Sequence, residues 1–198
     1  MVEIIKDISG NVQSAYAEGS FGKAKKKIES QGYRIISLEE NAKLRISEGK
    51  DAIVSQKGNW TIEDFIYIPD KGAYITKNSP MMKSAGKMAI FPWQGKESYL
   101  NSKEVDYALA KAVQVKDKKI PTDIFGEHEL TVFCFGESAK AYGEFLKNAG
   151  INEIPVYLAA CGEKPFARKM WLIGLGGRSG LNGNNTLHMD GGWVRGIK

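Results

Sequence analysis

Residues 166–198 read FARKMWLIGLGGRSGLNGNNTLHMDGGWVRGIK, and their composition differs from that of the rest of the chain. Eight of the 25 residues from Gly174 onward are glycine and three are asparagine, so a regular helix is disfavoured there. Large apolar residues nevertheless recur through the stretch, which a flexible linker would not require. They are Trp171, Leu172, Leu175, Leu181, Leu187, Val194 and Ile197. This pattern predicts irregular loops that fixed apolar anchors hold to a protein core.

Two weak enzyme-like patterns lie in the same stretch. Gly174-Leu175-Gly176 followed by Gly180 resembles a dinucleotide-binding turn, but that motif needs a long helix after it and only 18 glycine-rich residues follow. Ser179, His188 and Asp190 are the residue types of a hydrolase triad, yet three such residues are common in any polar loop. We therefore predict no catalytic residues and no cofactor, and keep an enzyme with an unrecognised site as an alternative.

The remainder of the chain has ordinary globular composition. Its 198 residues are 42% hydrophobic and 26% charged, which predicts a single domain over 1–198. Periodicity predicts helices over about 20–30, 39–47 and 137–148, and Asn101 with Glu104 stands at the capping spacing of another helix. Apolar runs predict strands at 65–68, 73–76, 130–135 and 154–159, with the first two forming a hairpin. The expected class is α+β.

The net charge of +5 arises entirely from the last 35 residues. Residues 1–163 contain 22 basic and 22 acidic side chains, whereas residues 164–198 contain six basic side chains and one acid. The alternative function is therefore a basic nucleic-acid-binding module, whose contacts would be Arg168, Lys169, Arg178, Arg195 and Lys198. The adjacent acids Glu63 and Asp64 are typical of ordinary surface charge.

The cysteines and histidines give no metal-binding pattern. Cys134 and Cys161 lie among apolar or small residues, so two buried thiols and one disulfide are both open interpretations. His128 and His188 have no partners at ligand spacing, so no metal site is predicted. No apolar run approaches the roughly 18 residues that cross a bilayer, and no signal-peptide core is present, so we expect no membrane insertion.

The alternation of anchors with Asn, Gly, Ser, Arg, His and Asp in residues 164–198 resembles the variable region of proteins diversified by retroelements, and is close to that of archaeal and archaeal-virus members. In that family a reverse transcriptase copies a template with errors at adenines, and the copy replaces the 3′ end of the target gene. Asparagine codons are rich in adenine, so Asn182, Asn184 and Asn185 resemble template residues. The resemblance implies a C-type lectin fold, with paired terminal strands in small antiparallel sheets, flanking helices and a long irregular C-terminal binding region.

The resemblance also implies a function and a set of ligand-facing positions. We expect a non-enzymatic protein that binds a protein or other surface molecule of a host or competitor cell, displayed on a virion, such as on its tail or fibre, or on a cell. No nucleic acid partner is expected. The calcium and sugar motifs of true C-type lectins, Glu-Pro-Asn and Trp-Asn-Asp, are missing. The expected variable positions are Ile173, Gly176, Gly177, Arg178, Gly180, Asn182, Asn184, Asn185, Thr186, His188, Met189, Asp190 and Trp193. The expected scaffold positions are Trp171, Leu172, Leu175, Ser179, Leu181, Leu187, Val194 and Arg195.

Overall fold

A computed structural model of the chain describes residues 2–6, 13–83, 98–177, 179–184 and 192–198. The helices are α1 (Phe21–Ser30), α2 (Leu38–Glu48), α3 (Ile53–Gln56), α4 (Ser102–Leu109), α5 (Glu129–Phe135) and α6 (Ala139–Asn148). Short 3-10 turns lie at Thr122–Ile124, Gly136–Ser138 and Leu175–Gly177. The strands are β1 (Val2–Lys6), β2 (Gln13–Glu18), β3 (Arg34–Ile35), β4 (Asn59–Ile68), β5 (Gly72–Thr76), β6 (Ser98–Tyr99), β7 (Ala112–Gln114), β8 (Lys119–Pro121), β9 (Glu153–Tyr157), β10 (Phe166–Ile173), β11 (Gly180–Asn182) and β12 (Trp193–Ile197).

The strands form a mixed sheet in the order β1–β2–β12–β4–β10–β11–β9–β8, with β3, β5, β6 and β7 paired beside this path. The contacts of β12 with β4 and of β11 with β9 are parallel, and the other pairings are antiparallel. The last strand, β12, therefore lies between β2 and β4 in the middle of the sheet. The first and last strands of the chain are thus joined in one antiparallel arrangement through β2.

Helices pack on both faces of the central strand β4, so its residues are buried along nearly their whole length. On one face, α1 packs against a cluster that contains Trp60 and Val194. On the other face, α2, α5 and α6 pack against a larger cluster that contains Phe65, Tyr67 and Leu172. Burial of each such large side chain stabilises the fold by roughly 1.5–3 kcal/mol. Strand β4 therefore contributes to the hydrophobic core on both of its faces.

Two helices begin with a capping box. The side chain of Asn101 accepts a hydrogen bond from the backbone N–H of Glu104, and the Glu104 carboxylate accepts one from the backbone N–H of Asn101. This confirms the helix start predicted from their spacing. Ser37 and Glu40 form the same arrangement at α2. Such caps satisfy N–H groups that have no partner within the helix.

The strand predicted at 130–135 is wrong, because these residues form most of helix α5. The buried side chains are Leu130, Thr131, Cys134 and Phe135, which lie on one face of a helix. A short apolar run carries too few residues to separate a buried strand from a buried helix by periodicity. The N-cap residue His128, whose ring nitrogen accepts a hydrogen bond from the backbone N–H of Leu130, marks the helix start.

The prediction that Glu63 and Asp64 are surface charges is also wrong. Both side chains are buried on β4. The Glu63 carboxylate accepts hydrogen bonds from the backbone N–H of Leu38, at 3.1 and 3.2 Å, at the positive end of α2. Burial raises the pKa of Glu63. The two acids are therefore structural parts of the core.

Cys134 and Cys161 are free, so the disulfide interpretation is wrong. Cys134 is buried, as one interpretation held, and burial raises the pKa of its thiol well above the usual value. Cys161 is exposed, which contradicts the prediction of a second buried thiol. Among the described residues, no helix combines the length and apolar character needed to cross a bilayer.

Candidate ligand-binding face

The scaffold positions that the structure describes are held in the sheet. Leu172, Leu181 and Val194 are completely buried, and Ser179 and Arg195 are nearly so. Trp171 and Leu175 are half-buried. Strand β10 pairs with β4 on one side and with β11 on the other. Successive side chains of a strand point to opposite faces of the sheet, and the anchors of β10 are those that point towards the core. Leu187 lies outside the described residues.

Three of the expected variable positions lie around residues 56–58, at the end of α3. The Ile173 carbonyl accepts a hydrogen bond from Arg45 at 3.1 Å, and the same guanidinium donates to the carbonyl of Lys57 at 3.4 Å. The Lys57 ammonium lies 5.3 Å from the ring centroid of Trp193. A Cβ atom added at Gly176 would contact only Gln56, at 3.4 Å or more, so a side chain has room there. The Ile173 carbonyl, Gly176 and the Trp193 ring thus all lie close to residues 56–58.

Arg45 lies beneath these positions and donates hydrogen bonds to the backbone of Ile173 and Lys57. Its guanidinium is completely buried and also donates to the Val54 carbonyl at 3.0 Å and to the Tyr142 hydroxyl at 2.8 Å. These acceptors come from α3, from α6 and, with the Ile173 carbonyl, from the end of β10. A cation is favoured beside the carbonyl end of a helix, and each satisfied buried carbonyl avoids a desolvation cost of about 1–3 kcal/mol. The backbone beneath the face is therefore fixed by a residue outside the C-terminal segment.

The Trp193 indole lies in a row of aromatic rings and cationic side chains. Its indole stacks on the Tyr16 ring with centroids 4.4 Å apart and planes 9° from parallel. The Arg195 guanidinium lies 5.7 Å from the Tyr16 ring. The pairing of β12 with β2 places Arg195 opposite Tyr16 and Trp193 diagonally across from it. The indole is half-buried, so it keeps an exposed part while the stack fixes its orientation.

Asn182 and Asn184 form a second group on the adjacent strand. Asn182 pairs with Trp171 of β10, and its side-chain oxygen accepts a hydrogen bond from the backbone N–H of Asn184 at 2.7 Å. The exposed Asn184 side chain accepts a hydrogen bond from Arg168 at 2.9 Å. The hydroxyl of Tyr67 donates to the Gly183 carbonyl at 3.2 Å. Asn182 therefore shapes the turn, whereas Asn184 presents an exposed side chain.

Burial of the Tyr67 side chain raises its pKa to about 12, so the hydroxyl stays protonated and able to donate at physiological pH.

Sequence reasoning missed three glycines that the scaffold requires. A Cβ atom at Gly174 would overlap the Gln56 carbonyl, one at Gly183 would overlap Tyr67 and Phe65, and one at Gly192 would overlap the Trp60 indole. The sequence shows these residues only as part of a glycine-rich stretch. Their partners lie more than 100 residues away along the chain, so no local signal identifies them.

Gly180 does not fit the expected ligand-facing set. It is buried in β11 with a φ of +155°, and an added Cβ would lie 2.7 Å from the Pro155 carbonyl oxygen. A side chain there is opposed by both backbone conformation and space. Gly177 lies in the 3-10 turn after Leu175. Outside the described residues lie Arg178, Asn185, Thr186, His188, Met189 and Asp190.

Two of the basic side chains that the nucleic-acid alternative would use are buried. Lys169 is buried, and its ammonium lies 2.8 Å from the Asp64 carboxylate and donates to the Ile62 carbonyl at 2.8 Å. Burial lowers the pKa of Lys169. Arg195 is also buried. Two of the five proposed phosphate contacts are therefore inside the protein, and Arg178 lies outside the described residues.

Comparison with known proteins places the fold. No family model matches the chain, and no curated protein matches it. One solved structure matches with a TM-score of 0.69 at 15% identity, covering 98% of this chain and 99% of that chain. It is described as showing the accommodation of massive sequence variation in Nanoarchaeota by the C-type lectin fold. The present chain has a C-type lectin fold. The predicted α+β class and fold are thereby confirmed.

Within this C-type lectin fold, the C-terminal segment is part of the sheet and of its surface at the same time. Strands β10, β11 and β12 supply buried anchors, and the residues between them supply the exposed positions Gly176 and Asn184. The described residues contain no group of three His, Cys, Asp or Glu side chains arranged to hold a metal ion. The exposed groups offered here are amide, aromatic and ammonium groups suited to contact with a ligand.

Proposed function

We propose that the chain is a non-enzymatic binding protein whose C-terminal surface is diversified by retroelement mutagenesis. Its ligand is a protein or another surface molecule of a host or competitor cell, and the chain is displayed on a virion or a cell. The observation that supports this proposal is that some residues of the C-terminal segment pack in the core, whereas others are exposed or have room for another side chain. We call the first kind locked positions and the second kind open positions.

The locked positions touch the core. Leu172 and Leu181 are completely buried, and Gly174 and Gly192 leave no room for a side chain. Large truncations at such core sites cost about 2–5 kcal/mol, whereas exposed substitutions usually stay within about 0.5 kcal/mol. A segment that mixes the two kinds of position residue by residue accepts many sequences without losing the fold.

The open positions would vary in the diversified protein. Those described by the structure are Ile173, Gly176, Asn184 and Trp193, with Gly177 in the same turn as Gly176; Asn182, whose side chain shapes its turn, is set apart from them. Arg178, Asn185, Thr186, His188, Met189 and Asp190 complete the proposed set. Trp, Arg and Met are enriched in protein interfaces, which agrees with a protein ligand. The fold of the Nanoarchaeota neighbour, described as accommodating massive variation, supports the same conclusion.

A library tests tolerance directly. Ile173, Gly176, Asn184 and Trp193 would be randomised together in cells that display the chain, and folded variants would be counted by resistance to protease. Most variants should remain folded. The matched library at Gly174, Leu181, Gly183 and Gly192 should retain few folded members. Equal loss in both libraries would refute the division into open and locked positions.

Sequencing tests diversification itself. The 3′ end of this gene would be sequenced deeply across the source population. We expect substitutions at the open positions, constant anchors, and changes that trace to adenines in a nearby template. A uniform sequence through residues 174–198 would contradict the diversification proposal.

A further inference from the structure

A groove lies beside the second group of face residues. It has a volume of about 520 Å³ and is lined by the loop that follows α6, by Lys118 and the start of β8, and by β9. Its apolar walls include Ile151, Pro155 and Tyr157, and its rim carries Lys118, Lys119 and Glu153. The volume falls within the range of about 300–1,000 Å³ that is usual for ligand sites. None of these residues belongs to the C-terminal segment.

The groove adjoins the candidate face directly. Tyr157, whose side chain is 42% exposed, pairs with Asn182 where β9 runs parallel to β11. The backbone N–H of Gly183 donates to the Tyr157 carbonyl at 2.9 Å. A ligand that contacts Asn184 therefore has an exposed tyrosine and an apolar groove as its immediate neighbours.

The walls of the groove are rigid. The Thr122 hydroxyl donates to the carbonyls of Ile151 and Asn152, at 3.1 and 3.0 Å. The backbone N–H of Val156 donates to the Lys118 carbonyl at 2.8 Å. A preformed site loses little conformational entropy on binding, which favours a small anchoring contact.

The charge at the rim selects the ligand. In the run from Lys116 to Lys119, Lys116 pairs with Glu129, Asp117 contacts His128, and Lys119 pairs with Glu153. Lys118 is exposed and has no ion-pair partner among the residues that the structure describes. A positive charge above apolar walls complements a carboxylate that stands next to an apolar side chain.

We propose that this groove is a constant subsite that takes an acidic, leucine-like apolar segment of the partner protein. The proposal rests on the proposed function of the chain as a binding protein. The subsite would supply affinity that does not depend on the sequence of the diversified face, and the face would supply specificity. A fixed contact beside a variable one lets each new variant begin with measurable affinity.

Three capped peptides test the subsite by NMR titration of the full chain. They are acetyl-Glu-Leu-Glu-Leu-amide and its Gln and Lys counterparts in place of Glu. The acidic peptide should shift the amide resonances of Lys118, Ile151 and Tyr157, and should bind more tightly than the basic peptide. Lys118→Glu should weaken the acidic peptide about fivefold, as expected for an exposed charge pair. Lys103→Glu, at an exposed site on α4, is the matched control and should leave binding unchanged.

Tyr157→Ala should weaken all three peptides, because it removes an apolar wall without changing charge. Equal binding of the acidic and basic peptides, or shifts confined to residues outside the groove, would overturn the proposal. The titration follows the amide resonances of residues that are not randomised in the library at the C-terminal face. A failed groove therefore leaves the library result standing, and a failed library leaves the groove result standing.

Discussion

Gly192→Ala should destabilise the protein far more than Gly176→Ala, although both replace a glycine in the same segment. A Cβ at Gly192 would lie under 3.0 Å from three carbon atoms of the Trp60 indole. That indole is completely buried, with its centroid 5.7 Å from the Phe21 ring and 5.0 Å from the Trp171 ring. It cannot move without displacing one of them. Overpacking costs about 1–3 kcal/mol, and we expect the upper value of about 3 kcal/mol here.

Urea unfolding, monitored by circular dichroism, measures this loss of stability. The slope of the unfolding free energy against urea concentration should stay unchanged if unfolding remains two-state. For a chain of this size, about 3 kcal/mol corresponds to a fall in Tm of roughly 6–12 °C. Gly176→Ala should change the free energy of unfolding by no more than about 0.5 kcal/mol. In a Trp60→Phe background the cost of Gly192→Ala should shrink, because the smaller ring relieves the overlap. The reasoning fails if the two glycine variants unfold alike, or if the smaller ring changes nothing.

Three further outcomes follow from buried polar groups. Asp64→Ala should lower the free energy of unfolding by about 3–5 kcal/mol, because it leaves the buried Lys169 ammonium without its counter-charge, and adding Lys169→Met should restore part of the loss in the same urea assay. Arg45→Gln should cost about 2–3 kcal/mol, because the Ile173 carbonyl and its neighbours lose their donor; unfolding at wild-type stability would contradict this. The folded state favours the neutral form of Tyr67. The stabilisation that the neutral hydroxyl gives to the folded state is therefore complete below pH 10 and is lost as the pH rises towards 12. Stability of the wild type relative to Tyr67→Phe should therefore fall by roughly 3 kcal/mol at most over that window, and parallel pH profiles would refute the raised pKa.

Local signals in the sequence predicted local structure well. The Asn101–Glu104 spacing identified the start of α4, and β-branched runs on either side of a Pro-Asp-Lys-Gly turn identified the hairpin of β4 and β5. Both features are decided by neighbouring residues. The run Leu130–Phe135 was misassigned because its apolar content fits either a strand or a helix, and only its packing between α2 and α6 decides.

The candidate site was less accessible to sequence reasoning, because its residues are defined by distant contacts. The need for glycine at Gly183 depends on Phe65 and Tyr67, and the burial of Lys169 depends on Asp64. The sequence of this segment reveals its apolar anchors, but it does not reveal which glycines and basic residues are buried until the partner strand β4 is known. The resemblance to diversified proteins supplied the fold and a first separation of scaffold from variable positions, whereas the need for glycine at Gly174, Gly180, Gly183 and Gly192 required the packing.

The position of β4 shows how the segment after β10 would tolerate change. Trp171 of β10 and Val194 of β12 both pair with Trp60, so the segment between them, which includes β11, begins and ends on opposite sides of one strand. The two ends are therefore held only about 10 Å apart, at twice the spacing of neighbouring strands. The buried strands hold the two ends of the segment at this distance. The entropy cost of closing the segment then depends only weakly on the chain between the ends. Substitutions at the open positions between the ends would change the surface while Trp60, Trp171 and Val194 keep the ends in place, which is the physical condition that a diversified binding face must meet.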